Sequence, residues 1–217
     1  MNQDRAPLGQ HGELAQLYRV PPDRLRAVFR VFNKFMVAMF RLGLGPYAGG
    51  NPYTGYIMVL TTTGRRTGLP RRTPVNYAQG EGEVYCLVGF GQSSHWYRNV
   101  LANPNVQVWV GREGWSGRAE VMTDPTEWLP IYRHIAHRAG FADRAFTTEA
   151  ISELSDERLL RLAAEGPVIR IRLDRKLPRA EGPGDLAWLW PVVGAGFLAG
   201  WLIRRRRAGK RRGEAGS

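Results

Sequence analysis

Four arginines, Arg65, Arg66, Arg71 and Arg72, stand within eight residues of one another around the turn Gly64-Arg65-Arg66-Thr67-Gly68-Leu69-Pro70. Guanidinium groups are planar, always charged, and pair bidentately with phosphate and carboxylate. The apolar, Thr-rich run Val59-Leu60-Thr61-Thr62-Thr63 leads into the turn, and a second strand-like run leaves it from Thr73. Gly64 and Gly68 can adopt positive φ and present backbone N–H groups, an arrangement suited to anions. The pattern predicts a hairpin tip that grips a polyanion. Charge alone is equally compatible with a solvated basic turn.

A second segment bears on that choice. Gly89-Phe90-Gly91-Gln92-Ser93-Ser94 reads as a glycine-containing loop with a serine N-cap, and His95-Trp96-Tyr97-Arg98-Asn99 as a short helix stopped near Asn103-Pro104. The order TTTGR-x-TG-x-PR, strands, glycine-rich loop, then WYRN-x-x-ANP resembles the deazaflavin (coenzyme F420)-dependent nitroreductase family of actinobacteria. The resemblance covers roughly Tyr56 to Phe146 and rests on two separated motifs that match in sequence and spacing.

The resemblance implies a split β-barrel with helical additions, and F420 as cofactor. It assigns Arg65, Arg66 and Arg71 to the phosphate and the glutamate tail, with Thr62, Thr63 and Gly64 as donors beside them. Pro74, Val75 and Asn76 would flank the deazaflavin ring, and Trp96 and Asn99 match positions on the cofactor-side helix. Trp96 could cover an aromatic face or belong to the core. Two departures stand out. The loop Val88-Gly89-Phe90-Gly91-Gln92 lacks the family's lysine, and Asn76 replaces a tyrosine. Tyr77 remains beside the expected ring position, and the helical region where the family places substrate-side tyrosines reads Tyr132, His134, His137, Phe141, Phe146. Tyr77, Tyr132 and His134 are therefore the candidate proton donors, with a solvent-facing helix residue as the plainer role for His134.

The elements that must position these residues follow from periodicity. Strands are expected near Tyr56–Thr62, Thr73–Ala78, Val84–Val88, Val106–Val110, Gly117–Met122 and Pro167–Leu173. Helices are expected over Arg24–Leu42, Ser94–Asn103, Pro125–Arg138 and Ser155–Ala164. The fold class is therefore α+β, a small barrel of short strands with added helices. The Arg24–Leu42 helix is basic and amphipathic, suited to packing on its own domain or to lying in a membrane interface.

The chain has 217 residues, 43% of them hydrophobic, enough for one substantial domain. Residues 1–20 are expected to be partly flexible, 21–176 to form the barrel domain, and 177–185 to form a linker. Residues 186–203 contain no charged side chain across eighteen positions, with Trp188, Trp190 and Trp201 near the ends. About 27 Å long as a helix, they are a candidate membrane span.

Residues 204–217 form a basic tail. Seven cations and one acid from Leu186 onward give +6, half of the net charge of +12. That distribution favours an anionic ligand and a membrane surface over nucleic acid. The tail argues for a cytoplasmic C-terminus. Access to F420 and the absence of a leader-like segment favour a catalytic domain at the cell membrane facing the cytoplasm.

The histidines, His11, His95, His134 and His137, show no metal pattern, and the single cysteine, Cys86, reads as a buried hydrophobe. The expected function is hydride transfer from reduced F420 to a lipophilic acceptor, a quinone or a nitroaromatic. Alternatives are a non-catalytic membrane-bound carrier of the cofactor or of a lipid, and the same barrel binding flavin mononucleotide or haem. A homodimer is left open.

Overall fold

Each run expected as a strand pairs antiparallel with its neighbours in the computed structural model, which describes residues 12, 17–18, 22–51, 55–139, 147–178, 184–198 and 201. Strands β2 (Gly55–Thr63) and β3 (Pro70–Gln79) form the arginine hairpin, with Thr62 opposite Arg71. From β3 the order runs to β4 (Glu83–Leu87), β7 (Val168–Leu177), β6 (Glu113–Val121) and β5 (Asn105–Val110). β5 returns to β2, with Leu60 opposite Val108, and closes a six-stranded barrel. The two-residue β1 (Gly50–Asn51) adds to the outside of β2. Closure removes the free edges that an open sheet would expose.

The period-two alternation of β2 sends side chains to two different cores. Met58 and Leu60 point into the barrel with Tyr77, Val84, Cys86, Val108 and Ile171. Ile57 and Val59 point outward and pack with Trp109 against Met36 and Phe40 of helix α1 (Pro22–Arg41), which the one-turn α2 (Gly45–Ala48) follows. A third core lies under α4 (Pro125–His137) and α5 (Asp156–Glu165), built from Trp128, Tyr132, Leu159, Leu162 and Val168. Asp124 caps α4 by accepting the Thr126 N–H, and Ser155 caps α5 by accepting that of Arg158. Arg170 on β7 pairs with Glu83, Glu120 and Glu127, tying β4, β6 and α4 together on the outer face. Cys86 is fully buried, and desolvation pushes its thiol up to about 12.

The described C-terminal segment differs from the expectation. Residues 186–188 form a turn, and a helix, α6, runs over 189–198. Among the described residues no helix is long and apolar enough to cross a membrane. The described part of the expected 186–203 span, in which Trp201 is also helical, is shorter than a membrane crossing requires, and its start is tied to the domain. The Leu186 N–H donates to the Arg41 carbonyl, Trp190 Nε1 donates to the Leu42 carbonyl at 2.9 Å, and Arg41 Nη2 meets Asp185 at 2.7 Å. These contacts consume the end of the expected linker. The Arg41 hydrogen bond holds the Asp185 carboxyl below its usual range. That ion pair is complete above the ordinary carboxylate value and is lost only as pH falls through the lowered one. Residues 1–11, 13–16, 19–21, 52–54, 140–146, 179–183, 199–200 and 202–217 lie outside the described residues, as do the expectations that fall on them, Phe141 and Phe146 among them.

Candidate functional site

The hairpin tip is held mainly by its own backbone. The Gly64 N–H donates to the Leu69 carbonyl at 2.8 Å, and the Thr67 and Gly68 N–H groups donate to the Gly64 carbonyl. Gly68 has φ +67°, as a tight return requires. Gly64 does not have positive φ; a side chain there would stand 2.9 Å from Thr67 Oγ1 and 3.1 Å from the Leu69 carbonyl. Space, not a left-handed backbone, requires glycine at 64. The expectation that Gly64 and Gly68 offer free N–H groups is thus corrected, because both are spent inside the turn. What the tip presents to solvent is its cations, with Arg65, Arg66, Arg71 and Arg72 all exposed.

Asn99 organises the base of this tip. It sits on α3 (His95–Ala102) and is 4% exposed. Its Nδ2 donates to Thr62 Oγ1 at 3.2 Å. Its Oδ1 accepts from both the Arg65 backbone N–H and Arg65 Nη1, each at 3.2 Å. Thr62 is itself buried. The two residues act as supports for Arg65, out of reach of a ligand in solvent. Arg65 Nη1 also reaches the His95 carbonyl at 3.5 Å. Arg71 lies across Thr67, with Nη2 3.5 Å from Thr67 Oγ1. Thr63 ends β2 opposite Pro70 and is half-buried.

A cavity of about 610 Å³ opens where α3 begins. One wall is β3, with Thr73, Pro74, Val75 and Asn76; a second is Phe90, Ser93, Ser94, His95 and Trp96. Helix α1 supplies Phe29, Arg30, Phe32 and Asn33, and the end of α4 supplies Ile135, Ala136 and Ala139. Pro74, Val75, Asn76 and Trp96 thus border one cavity, although Val75 also packs in the barrel core. Trp96 also packs on the barrel core and stands edge-on to Tyr97 at 6.4 Å. Asn76 Nδ2 donates to the Tyr56 carbonyl at 3.4 Å, which aims the amide at the rim.

The three expected proton donors do not line this cavity. Tyr77 points into the barrel, where burial raises its phenol above the ordinary value. Tyr132 is 3% exposed and packs against Trp128 at 6.0 Å in the core under α4. His134 is exposed, with Nε2 3.1 Å from Arg138 Nη1. His134 directly precedes Ile135 and Ala136, the α4 residues that do face the cavity, but its own side chain turns to solvent.

Other residues took the places that sequence reasoning left vacant. Tyr18 lines the cavity, donates its hydroxyl to the Gly89 carbonyl at 2.9 Å and lies near-parallel to Phe90 at 6.3 Å. Phe29 meets Phe90 edge-on at 4.9 Å, and Phe32 meets Phe29 at 6.1 Å. Helical spacing alone assigned Phe29 and Phe32 to an inward face without saying whether that face met protein or a ligand. Arg98 Nε donates to the Gln92 carbonyl at 3.2 Å, so a cation does stand at the lysine-free loop. Among the described residues no group of three or more His, Cys, Asp or Glu could hold a metal ion.

The F420H(2)-dependent quinone reductase family model matches residues 35–152, more than half of the chain. This chain belongs to that family. It is 36% identical over 86 residues to an F420H(2)-dependent quinone reductase of Mycobacterium tuberculosis strain H37Rv, covering 35% of this chain and 57% of that protein. The counterpart of strain CDC 1551 gives the same figures. The chain thus spans little more than half the length of the curated relatives it matches. A solved F420-H2 dependent reductase shares 24% identity at a TM-score of 0.38, over 53% of this chain and 92% of that one.

Proposed function

We propose that this protein is an oxidoreductase that uses F420 to reduce a lipophilic, quinone-type acceptor. The observation that carries the proposal is the junction between the arginine tip and the apolar cavity. Arg65 is bonded to the first residue of α3 through the His95 carbonyl, and His95 lines the cavity. A ligand with a flat ring at one end and anionic groups at the other meets matching surroundings along that line. The volume falls within the range of about 300–1,000 Å³ usual for small-molecule sites.

F420, when bound, supplies the hydride. Arg65, Arg66 and Arg71 hold its phosphate and glutamate tail, with Thr62 and Asn99 keeping Arg65 in place. Pro74, Val75 and Asn76 would flank the ring from β3, and Trp96 would cover an aromatic face. The aromatic wall of Phe29, Phe32, Phe90 and Tyr18 receives a flat apolar acceptor. Reduction of a quinone also consumes a proton. His95 lines the cavity, and an imidazole within reach of the acceptor can serve as a general acid. We assign it that step, in place of Tyr77, Tyr132 and His134.

The displacement of those three residues also favours a second reading, a non-catalytic carrier with the same cofactor site. An anaerobic assay separates the two. Purified protein mixed with reduced F420 should oxidise it only when a quinone is added, with turnover that saturates in quinone. Tight F420 binding without quinone-dependent oxidation would leave the carrier reading in place of the enzyme.

A further inference from the structure

Helix α1 carries two apolar stripes, and only one of them is used by the fold. Met36 and Phe40 pack on the barrel. Val28, Val31 and Phe35, at spacing i, i+3 and i+7, face away from it and are 50%, 70% and 57% exposed. Such spacing is one face of a helix. The C-terminal segment, joined to the end of α1, exposes further apolar side chains. Trp188, Trp190 and Phe197 are 61%, 49% and 76% exposed. The two helices meet end to end, because Asp185 and Trp190 bind Arg41 and the Leu42 carbonyl at the end of α1. Apolar exposure on this scale marks an interaction surface.

Charge decides which partner fits. Arg24, Arg30 and Lys34 are exposed along α1. The sequence beyond residue 203 adds seven more cations, and the whole chain carries +12. A second copy would bring like charge against like charge. An anionic lipid surface supplies the countercharge, and tryptophan favours the headgroup level. The manner of docking follows from the clamp. With Asp185 and Trp190 fixed to the domain, only the thirteen uncharged residues 191–203 are left to enter a bilayer. They would reach about 20 Å as a helix, against a hydrocarbon core of about 30 Å.

We propose that α1 and the 189–198 helix form a clamped platform that docks in the interface of an anionic membrane without spanning it. Phe29 and Phe32 of α1 line the cavity on one side, while Val31 and Phe35 face out on another. Docking therefore brings the cavity wall to the lipid surface, the source of a lipophilic acceptor. That last clause rests on the proposed function; the docking itself does not.

The test uses the full chain with neither F420 nor quinone, so its outcome is independent of the catalytic reading. Protein is floated with vesicles of equal parts phosphatidylglycerol and phosphatidylcholine, and with pure phosphatidylcholine. It should float with the former and bind the latter at least about tenfold less. Phe35→Glu and Phe197→Glu should each weaken flotation about tenfold, with thermal midpoints unchanged, since both side chains are exposed. High salt and alkaline carbonate should each release the protein. Retention through carbonate would overturn interfacial docking in favour of a span. Undiminished flotation of both variants would overturn the platform. A solution dimer that both substitutions dissolve, with no flotation, would assign the surface to a second copy.

Discussion

Replacing Arg65, Arg66 and Arg71 together by alanine is expected to weaken F420 binding by about 100-fold or more. Charge-assisted hydrogen bonds to phosphate and carboxylate contribute roughly 1–3 kcal/mol each. All three side chains are exposed, so their sum is discounted for solvent screening, and the loss should shrink as salt rises. Asn99→Ala is the informative companion. It leaves every arginine in place but removes the acceptor that holds the Arg65 backbone and Nη1, and it strips Thr62 Oγ1 of its donor. A loss of about tenfold is expected, on the scale of one charge-assisted bond lost by misplacement. Titrations at low and moderate salt measure both. Full affinity in the triple variant would reduce the tip to a solvated turn.

The second large effect is expected at His95. His95→Ala should slow quinone reduction by about 10²-fold or more, the lower end of what a positioned general acid contributes. Its F420 affinity should stay within about twofold, because the contact to Arg65 is made by the His95 backbone carbonyl, which the substitution keeps. Transient kinetics in ordinary and deuterated water read the step directly, with the solvent isotope effect changing in the variant. An unchanged rate would mean that water in the cavity delivers the proton. By contrast, Tyr132→Phe and His134→Ala should leave the chemical step alone, since neither side chain lines the cavity.

Much of this arrangement was legible in the sequence, for reasons of period and punctuation. The strands announced themselves because alternation is imposed by the pleat, and the glycine turns fixed where each run ended. All six barrel strands lie within a few residues of the expected ranges, and so do helices α1, α3, α4 and α5. Strand register carries residues two apart to the same face, which puts Pro74 and Asn76 together on one side of β3 while Val75 between them packs in the barrel core. Which α4 side chains face the cavity was not readable. Helix α4 offers Tyr132, His134, Ile135 and Ala136 within five positions, and only its rotation decides which face the cavity.

Gly64 was misread for a similar reason. Glycine tolerates both positive φ and tight packing, and only coordinates separate the two. Tyr18 was hidden because it lies far from the barrel in sequence and meets it only in three dimensions, through Gly89 and Phe90. The apolar run from 186 looked long enough to span a bilayer. Nothing in its composition announced that Asp185 and Trp190 would anchor its first turn to Arg41 and Leu42.

The central claim is that the arginine tip and the cavity together form a site for F420, as distinct from any other flavin-like ring. Fluorescence titration of the full chain with oxidised F420, and in parallel with flavin mononucleotide, tests it most directly. Micromolar or tighter binding of F420 is expected, tighter still as the glutamate tail lengthens, with flavin mononucleotide at least about tenfold weaker for want of the tail's charge-assisted contacts. Equal affinity for the two, or no response to tail length, would contradict it.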